Sequence, residues 1–466
     1  MKKFTLVLIL MTAVSTMFGQ DIIGQWNGLL SVRGTQLRIA FNISKSEKGY
    51  TSTMDSPDQK AFGILVTTTS FEGNVLKIEM PNLGVQYEGE FNQADTIVGN
   101  FKQSGMSFPL NLTKAIPEKE KFVRPQEPVK PYPYYSEDVV FENKKDAFEL
   151  AGTLTLPNQT GSFPAVILIT GSGPQNRDEE LMGHKPFLVW ADYLTRNGIA
   201  VLRFDDRGTA SSKGNFKTAT SMDFKSDVEA ALLYLQSRKE INKKQIGLIG
   251  HSEGGIIAPM VAAGSKDISF IVLLAGTGIP GGQLLLLQQE LIGRAAGISE
   301  TELQKTKKIN EGAFDLVTKS TNSETLITDL TNYIKQTLKA DTATKIPAGM
   351  TEDQYVDMMI KQVTSPWMLY FIKHDPAITL EKVKCPVLAI NGEKDLQVPP
   401  EVNLAAIKTA LEKGGNKKVT TKELPGLNHL FQECKTGSPD EYSKIEQTIS
   451  PAALDEVTKW ILKQVK

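Results

Sequence analysis

The residues Gly250-His251-Ser252-Glu253-Gly254-Gly255 set a serine between glycines at the spacing G-x-S-x-G. An apolar strand is predicted over 245–249 and an apolar helix over 254–264. A serine on a sharp strand-to-helix turn is a nucleophile elbow. Glycines flank it because larger side chains would clash, and the turn lifts the hydroxyl clear of the sheet. A serine hydroxyl is a weak nucleophile and needs a base. His429, in Leu427-Asn428-His429-Leu430-Phe431, follows a predicted strand over 418–424 and fits that role. The orienting acid is expected after the strand over 386–391, in Gly392-Glu393-Lys394-Asp395-Leu396-Gln397-Val398-Pro399. Asp395 is the first choice there and Glu393 the alternative. In this scheme His429 takes the Ser252 proton and later returns one to the leaving group. Asp395 orients the imidazole and stabilises its charged form.

An oxyanion needs two backbone donors. The N–H of Glu253 supplies one. The other is expected from Gly171-Ser172-Gly173-Pro174, after the strand over 163–170, with Ser172 first and Gly173 second. The Glu253 side chain admits two readings: a contact to substrate or loop, or a carboxylate favoured by a helix N-terminus. Gly173, His184, Trp367 and Phe371 are the candidates for substrate contact. His184 sits in Met182-Gly183-His184-Lys185-Pro186 and reaches either the pocket rim or loop packing. Trp367, Met368, Tyr370 and Phe371 form an apolar cluster that lines an acyl pocket or packs a cap onto the core. Arg207 is expected to hold the loop after its strand. Gly276-Thr277-Gly278-Ile279-Pro280-Gly281 matches G-x-G-x-x-G, but it opens a long insertion rather than a crossover helix, which argues against a dinucleotide site.

These residues need an α/β framework. Apolar runs over 163–170, 199–204, 245–249, 268–275 and 386–391 read as strands buried on both faces of a parallel sheet. Helices are predicted over 186–197 and 221–238, and a last helix opens at Ser450-Pro451. The interval of about 280–380 exceeds one crossover helix and reads as a helical cap. Its Ser299-Glu300-Thr301-Glu302 and Thr351-Glu352-Asp353-Gln354 resemble capping boxes. Residues 21–115 differ: Leu37, Ile39, Phe41 and Ile43 alternate with polar residues, as do Leu76, Ile78 and Met80, and then Phe108, Leu110 and Leu112. Period-two alternation predicts a small all-β barrel or sandwich, with Trp26 as a core plug rather than a ligand contact. Its opening Gly24-Gln25-Trp26-Asn27-Gly28 loosely resembles the start of lipocalin-like barrels. Pro117, Pro125, Pro128, Pro131 and Pro133 make 116–136 a semi-rigid linker.

Lys2 and Lys3 precede an apolar run and then small and polar residues up to Gly19-Gln20. Residues 1–20 thus read as a cleavable secretory signal, with an uncleaved anchor as the alternative. The expected location is periplasmic or extracellular, without membrane insertion after cleavage. The 52 basic and 53 acidic residues nearly cancel, which removes the main ground for nucleic-acid binding. Two cysteines cannot build a disulfide framework, and Cys385 and Cys434 are expected as free thiols. Four scattered histidines offer little for a metal site.

Over about 137–466 the chain resembles the α/β-hydrolase superfamily, in the branch of bacterial secreted serine esterases with an N-terminal β-domain, near serine aminopeptidases and dienelactone hydrolases. The resemblance rests on 171–174, Asp206-Arg207-Gly208, the 250–255 motif, Asp395 with Val398-Pro399, and Asn428-His429. It implies hydrolysis of a small-molecule carboxylic ester without metal or organic cofactor. Two departures stand out: Thr170 where many relatives carry histidine, and Thr209-Ala210-Ser211 where a second glycine is usual. The expected protein is an exported serine carboxylesterase for small or medium acyl groups. The alternatives are a serine peptidase, a thioesterase, or a non-catalytic glycan- or partner-binding protein on a hydrolase scaffold.

Overall fold

The computed structural model describes residues 22–466 apart from 33–34, 48, 93–94, 104–105, 119–122, 341–345 and 347–349. The expected signal segment lies outside the described residues. The chain divides near residue 120 into two compact units.

The N-terminal unit is one curled antiparallel sheet of β1 (Gly24–Val32), β2 (Thr35–Ser46), β3 (Gly49–Ser56), β4 (Ala61–Leu65), β5 (Thr68–Glu72), β6 (Val75–Met80), β7 (Val85–Phe91), β8 (Thr96–Gln103), β9 (Met106–Pro109) and β10 (Leu112–Thr113). The order is β4-β3-β2-β1-β10-β8-β7-β6-β5, and β9 also pairs with β8. The alternating residues Ile39, Phe41, Ile43, Leu76, Ile78 and Met80 all point inward. Trp26 is fully buried; its indole N–H donates to the Ile22 carbonyl at 2.7 Å, and its ring meets Phe91 edge-on. The alternation expected across 108–112 is split between β9 and β10 at Pro109, which has no N–H to offer a ladder.

The second unit holds an eight-stranded sheet, in the order β11-β12-β14-β13-β15-β16-β17-β18. An antiparallel hairpin of β11 (Tyr135–Asn143) and β12 (Phe148–Leu156) edges the sheet, and the sequence reading had no strands there. From β13 (Phe163–Ile169) onward the pairings are parallel, through β14 (Ala200–Phe204), β15 (Ile241–His251), β16 (Phe270–Leu274), β17 (Val387–Gly392) and β18 (Val419–Leu424). Alternate residues of each strand serve opposite faces. Ile167, Leu248 and Leu273 pack beneath α2 (Ser221–Ser237), α3 (Gly254–Gly264) and α10 (Pro400–Lys413). Val166, Ile249 and Val272 pack against α1 (Pro186–Arg196) and α11 (Pro451–Gln464). This is the α/β-hydrolase fold, and the apolar runs are continuous because both faces are covered.

Between β16 and β17 stand the cap helices α4 (Gly281–Ala295), α5 (Glu300–Lys319), α6 (Ser323–Ala340), α7 (Glu352–Val363), α8 (Pro366–Lys373) and α9 (Pro376–Leu380). Ser299 caps α5 and Thr351 closes a capping box with Gln354 on α7. The cap has a core of its own, in which Leu326, Leu330 and Ile334 of α6 meet Phe314, Val317 and Ile360. Leu284 and Phe371 join it to Ile256 and Met260 of α3. Among the described residues, no helix is long and apolar enough to cross a membrane.

From residue 120 on, the proline-rich segment is part of the second unit. Arg124 donates to the carbonyls of Ile445 at 2.7 Å, Ser443 at 2.8 Å and Gly183 at 3.0 Å. Gln126 accepts from the amides of Thr448 at 2.6 Å and Ile449 at 3.0 Å. These bonds strap loops 182–184 and 443–449 together. In the full chain, Arg124→Ala is expected to destabilise this unit by about 1–3 kcal/mol, since carbonyls lose a charged donor. Urea unfolding followed by tryptophan fluorescence should show the lower midpoint; an unchanged midpoint would mean that the strap carries no stability.

Candidate active site

The turn from β15 into α3 is held by close backbone approach. A side chain at Gly250 would put its Cβ 2.0 Å from the Gly254 carbonyl oxygen, and one at Gly254 would lie 2.2 Å from that of Ile169. No residue but glycine fits either place. Ser252 takes φ 52°, a left-handed conformation that costs a residue with a Cβ on the order of 1–3 kcal/mol. Its N–H donates to the Leu274 carbonyl at the end of β16 at 2.9 Å. The strained serine is thereby fixed above the carboxyl ends of the central strands.

His429 Nδ1 donates to Asp395 Oδ2 at 2.8 Å, with both side chains buried. The other carboxylate oxygen, Oδ1, accepts from the amides of Gln397 and Val398, each at 2.8 Å. Asp395 is therefore anchored by its own loop and leaves one oxygen for the imidazole. Glu393, the alternative acid, points elsewhere and accepts from the Gly426 amide at 2.7 Å. Ser252 and His429 share the wall of a cavity of about 460 Å³. Ser172 and Gln175 of the loop after β13 line it, with Gln288 and Ile292 of the cap and with Gln397 and Tyr442.

The loop after β13 is pinned by buried carboxylates. Thr170 donates its hydroxyl to Asp206 at 2.7 Å, and the Gln175 amide donates to the same carboxylate at 2.9 Å. Burial, helped by the nearby Glu253 and Glu179, pushes Asp206 well above the usual carboxylate range against those donors. Thr170, the departure from the family pattern, thus takes a side-chain bond of its own. Arg177 grips Asp205 through Nη2 at 2.8 Å and Nε at 3.1 Å. Arg207 binds Asp227 and Asp146, tying the loop after β14 to α2 and the β11–β12 turn.

The remaining sequence candidates separate. Glu253 is the N-cap of α3 and its side chain is buried; Ser221 Oγ donates to it at 2.6 Å and Trp367 Nε1 at 2.8 Å. Burial raises its carboxyl above the ordinary range. Trp367 stacks on Phe371 at 4.9 Å, and neither lines the cavity. Of the two readings, the contacts fit packing of the cap onto the core: the indole N–H needs an acceptor and finds Glu253, which seats α8 on the elbow. Gly173 turns its loop at φ 95° and also lies off the cavity wall. His184 fits the loop-packing reading. It is fully buried, with Nδ1 3.0 Å from Thr448 Oγ1 and Nε2 2.9 Å from the Tyr442 carbonyl. Sequence reasoning passed over Glu179 and His251, buried beside the cavity and bonded to each other at 2.9 Å. His251 was in plain view within the elbow motif; Glu179 carried no signal. Among the described residues, Cys385 and Cys434 are both free.

Residues 187–433 match the family model described as serine aminopeptidase, S33. The chain belongs to this family of α/β-hydrolases. It is 26% identical over 340 residues to Esterase EstD of Thermotoga maritima, covering 71% of this chain and 70% of that one. It is 27% identical over 173 residues to human Acyl-coenzyme A thioesterase 1, covering 37% of this chain and 36% of the relative. Among solved structures it is similar to the Pyrococcus furiosus esterase Pf2001, at 17% identity and TM-score 0.43, covering 75% of this chain and all of that one.

Burial pulls the His184 imidazole down from 6.5 to about 4. The unfolded chain then binds a proton between these values that the folded chain refuses. Stability from this group is full above pH 6.5 and is lost as pH falls toward 4. The stability advantage of the wild type over His184→Gln should therefore shrink across that window. A difference independent of pH, measured by denaturant unfolding, would contradict a buried neutral histidine.

Proposed function

We propose that the protein is an exported serine hydrolase that cleaves carboxylic esters of small or medium acyl groups through Ser252, His429 and Asp395. The observation that carries this reading is the 2.8 Å His429–Asp395 pair, with His429 and Ser252 on one cavity wall. Asp395 holds the Nδ1 proton, which leaves Nε2 to act on the serine. Ser252 Oγ attacks the ester carbonyl and gives its proton to His429. The amides of Glu253 and Ser172 receive the oxyanion, each such donor being worth about 2.7–4 kcal/mol in the transition state. His429 protonates the departing alcohol, and an acyl group remains on Ser252. Water activated by the same imidazole releases the acid.

The name of the Thermotoga relative supports the ester substrate. The family description favours a second reading, amide cleavage by the same residues. Export rests on residues 1–20 alone. It predicts that protein recovered from the exporting host lies outside the cytoplasm and starts after the signal; full-length protein retained in the cytoplasm would refute it.

A p-nitrophenyl ester series tested beside aminoacyl-p-nitroanilides separates the readings. Turnover of short and medium esters is expected, abolished by Ser252→Ala, with Asp395→Asn lowering kcat by about 10⁴-fold. A fluorophosphonate should label the wild type at Ser252. Dominant anilide turnover would move the function to peptidase. A folded protein that neither turns over nor takes the label would be a binding protein.

A further inference from the structure

Three chain segments must meet for the proposed chemistry: the elbow, the loop after β13 and the loop carrying His429. One pair of side chains, Glu179 and His251, touches all three. His251 belongs to the elbow. Its Nε2 lies 3.1 Å from the main-chain carbonyl oxygen of His429, and its Nδ1 lies 2.9 Å from Glu179 Oε1. The same Oε1 accepts the Gly171 amide at 2.8 Å, one residue before Ser172.

The protons follow from these contacts. A carbonyl oxygen only accepts, so His251 Nε2 carries a hydrogen. Glu179 Oε1 already accepts one N–H, and an ionised carboxylate accepts a second without cost in geometry. With Nδ1 facing that oxygen, the arrangement fits a ring that carries a hydrogen on both nitrogens, an imidazolium. A buried cation is tolerated only beside a counterion, and Glu179, itself buried, is placed to be one. Burial alone would lower the His251 value; the Glu179 carboxylate, with the His429 carbonyl and Asp395, outweighs it and holds the ring above its ordinary range. Glu179 takes φ 51°, a strained backbone for a residue with a side chain. The His251 and His429 rings lie 4.8 Å apart, so any shift of the first reaches the second.

We propose that Glu179 and His251 form a buried carboxylate–imidazolium pair that positions the oxyanion loop and the His429 loop against the elbow, without exchanging a proton with substrate. The proposal rests on the serine-hydrolase reading above. Glu179 and His251 are positioning residues: the pair acts through Gly171 on one side and the His429 backbone on the other.

The full chain tests it. Glu179→Gln is expected to lower kcat on p-nitrophenyl acetate by about 10–100-fold, the scale carried by a displacement of about 1 Å. KM should stay within about threefold. A trifluoromethyl ketone that adds to the serine should lose affinity in proportion to kcat/KM, since both need the oxyanion amides. Independently of any variant's folding, a nitrogen-15 NMR titration of histidine-labelled wild type should show an imidazole that keeps both ring nitrogens protonated to higher pH than the histidines of the unfolded chain, and that signal should vanish from folded His251→Gln. Wild-type protein in which no imidazole holds its second proton above the range of the unfolded chain overturns the proposal. So does a Glu179→Gln protein with wild-type kcat while Ser252→Ala is inactive. Ester turnover that survives Ser252→Ala strikes the serine-hydrolase reading instead.

Discussion

The passage of the 250–255 turn over the ends of β13 and β16 governs where every other part of the site can sit. The backbone of Gly254 runs so close to the Ile169 carbonyl that no side chain can intervene. The Ser252 amide is bonded to Leu274. With both neighbours fixed by parallel pairing to β15, the serine has no freedom to relax its left-handed backbone. The loop holding Ser172 must leave from Ile169, and the loops holding Asp395 and His429 from β17 and β18 on the same end of the sheet. A parallel sheet brings all carboxyl ends to one edge, so residues distant in sequence converge there without long excursions.

Loops that converge still have to be held. Here buried carboxylates do it. Asp205 and Asp206 follow β14 and reach across to the loop after β13; Glu179 lies beside the elbow and Glu253 within it; Asp227 takes Arg207. Burying so many acids costs energy unless each finds donors, and each finds backbone amides, hydroxyls, an indole or a guanidinium. The result is a site whose walls are cross-braced by directional bonds rather than by apolar packing, which leaves the cavity itself polar on the side of Gln288, Gln397 and Tyr442. The cap joins this scheme through Trp367, whose indole shares Glu253 with Ser221. Arg124 and Gln126 link the proline-rich segment to the loops around His184 and Tyr442.

Much of this was legible in the amino-acid order. Local periodicity determines whether a segment can bury one face or two, so the alternating N-terminal strands, the apolar central strands and the helices from α1 to α3 could be placed within a few residues. Capping residues such as Ser299, Thr351 and Ser450 mark helix starts because they answer amides in their own segment. The elbow was legible for the same reason: its glycines answer a local steric demand. The β11–β12 hairpin was passed over, although Val139 and Phe141 alternate with exposed residues and Leu150 to Leu156 form a buried run.

The partners of individual side chains were decided only by the tertiary structure. His184, Trp367 and Phe371 looked available for substrate, yet each is taken up by a neighbour more than a hundred residues away or by packing against the core. Glu179 and His251 were passed over, although they join the three segments around the cavity. The physical reason is the range of the interactions. Helix and strand preferences, caps and tight turns are settled by contacts within a few residues, and sequence spells these out. A buried charge is settled by whichever donor the fold brings to it, and that identity exists only once distant loops have been packed together.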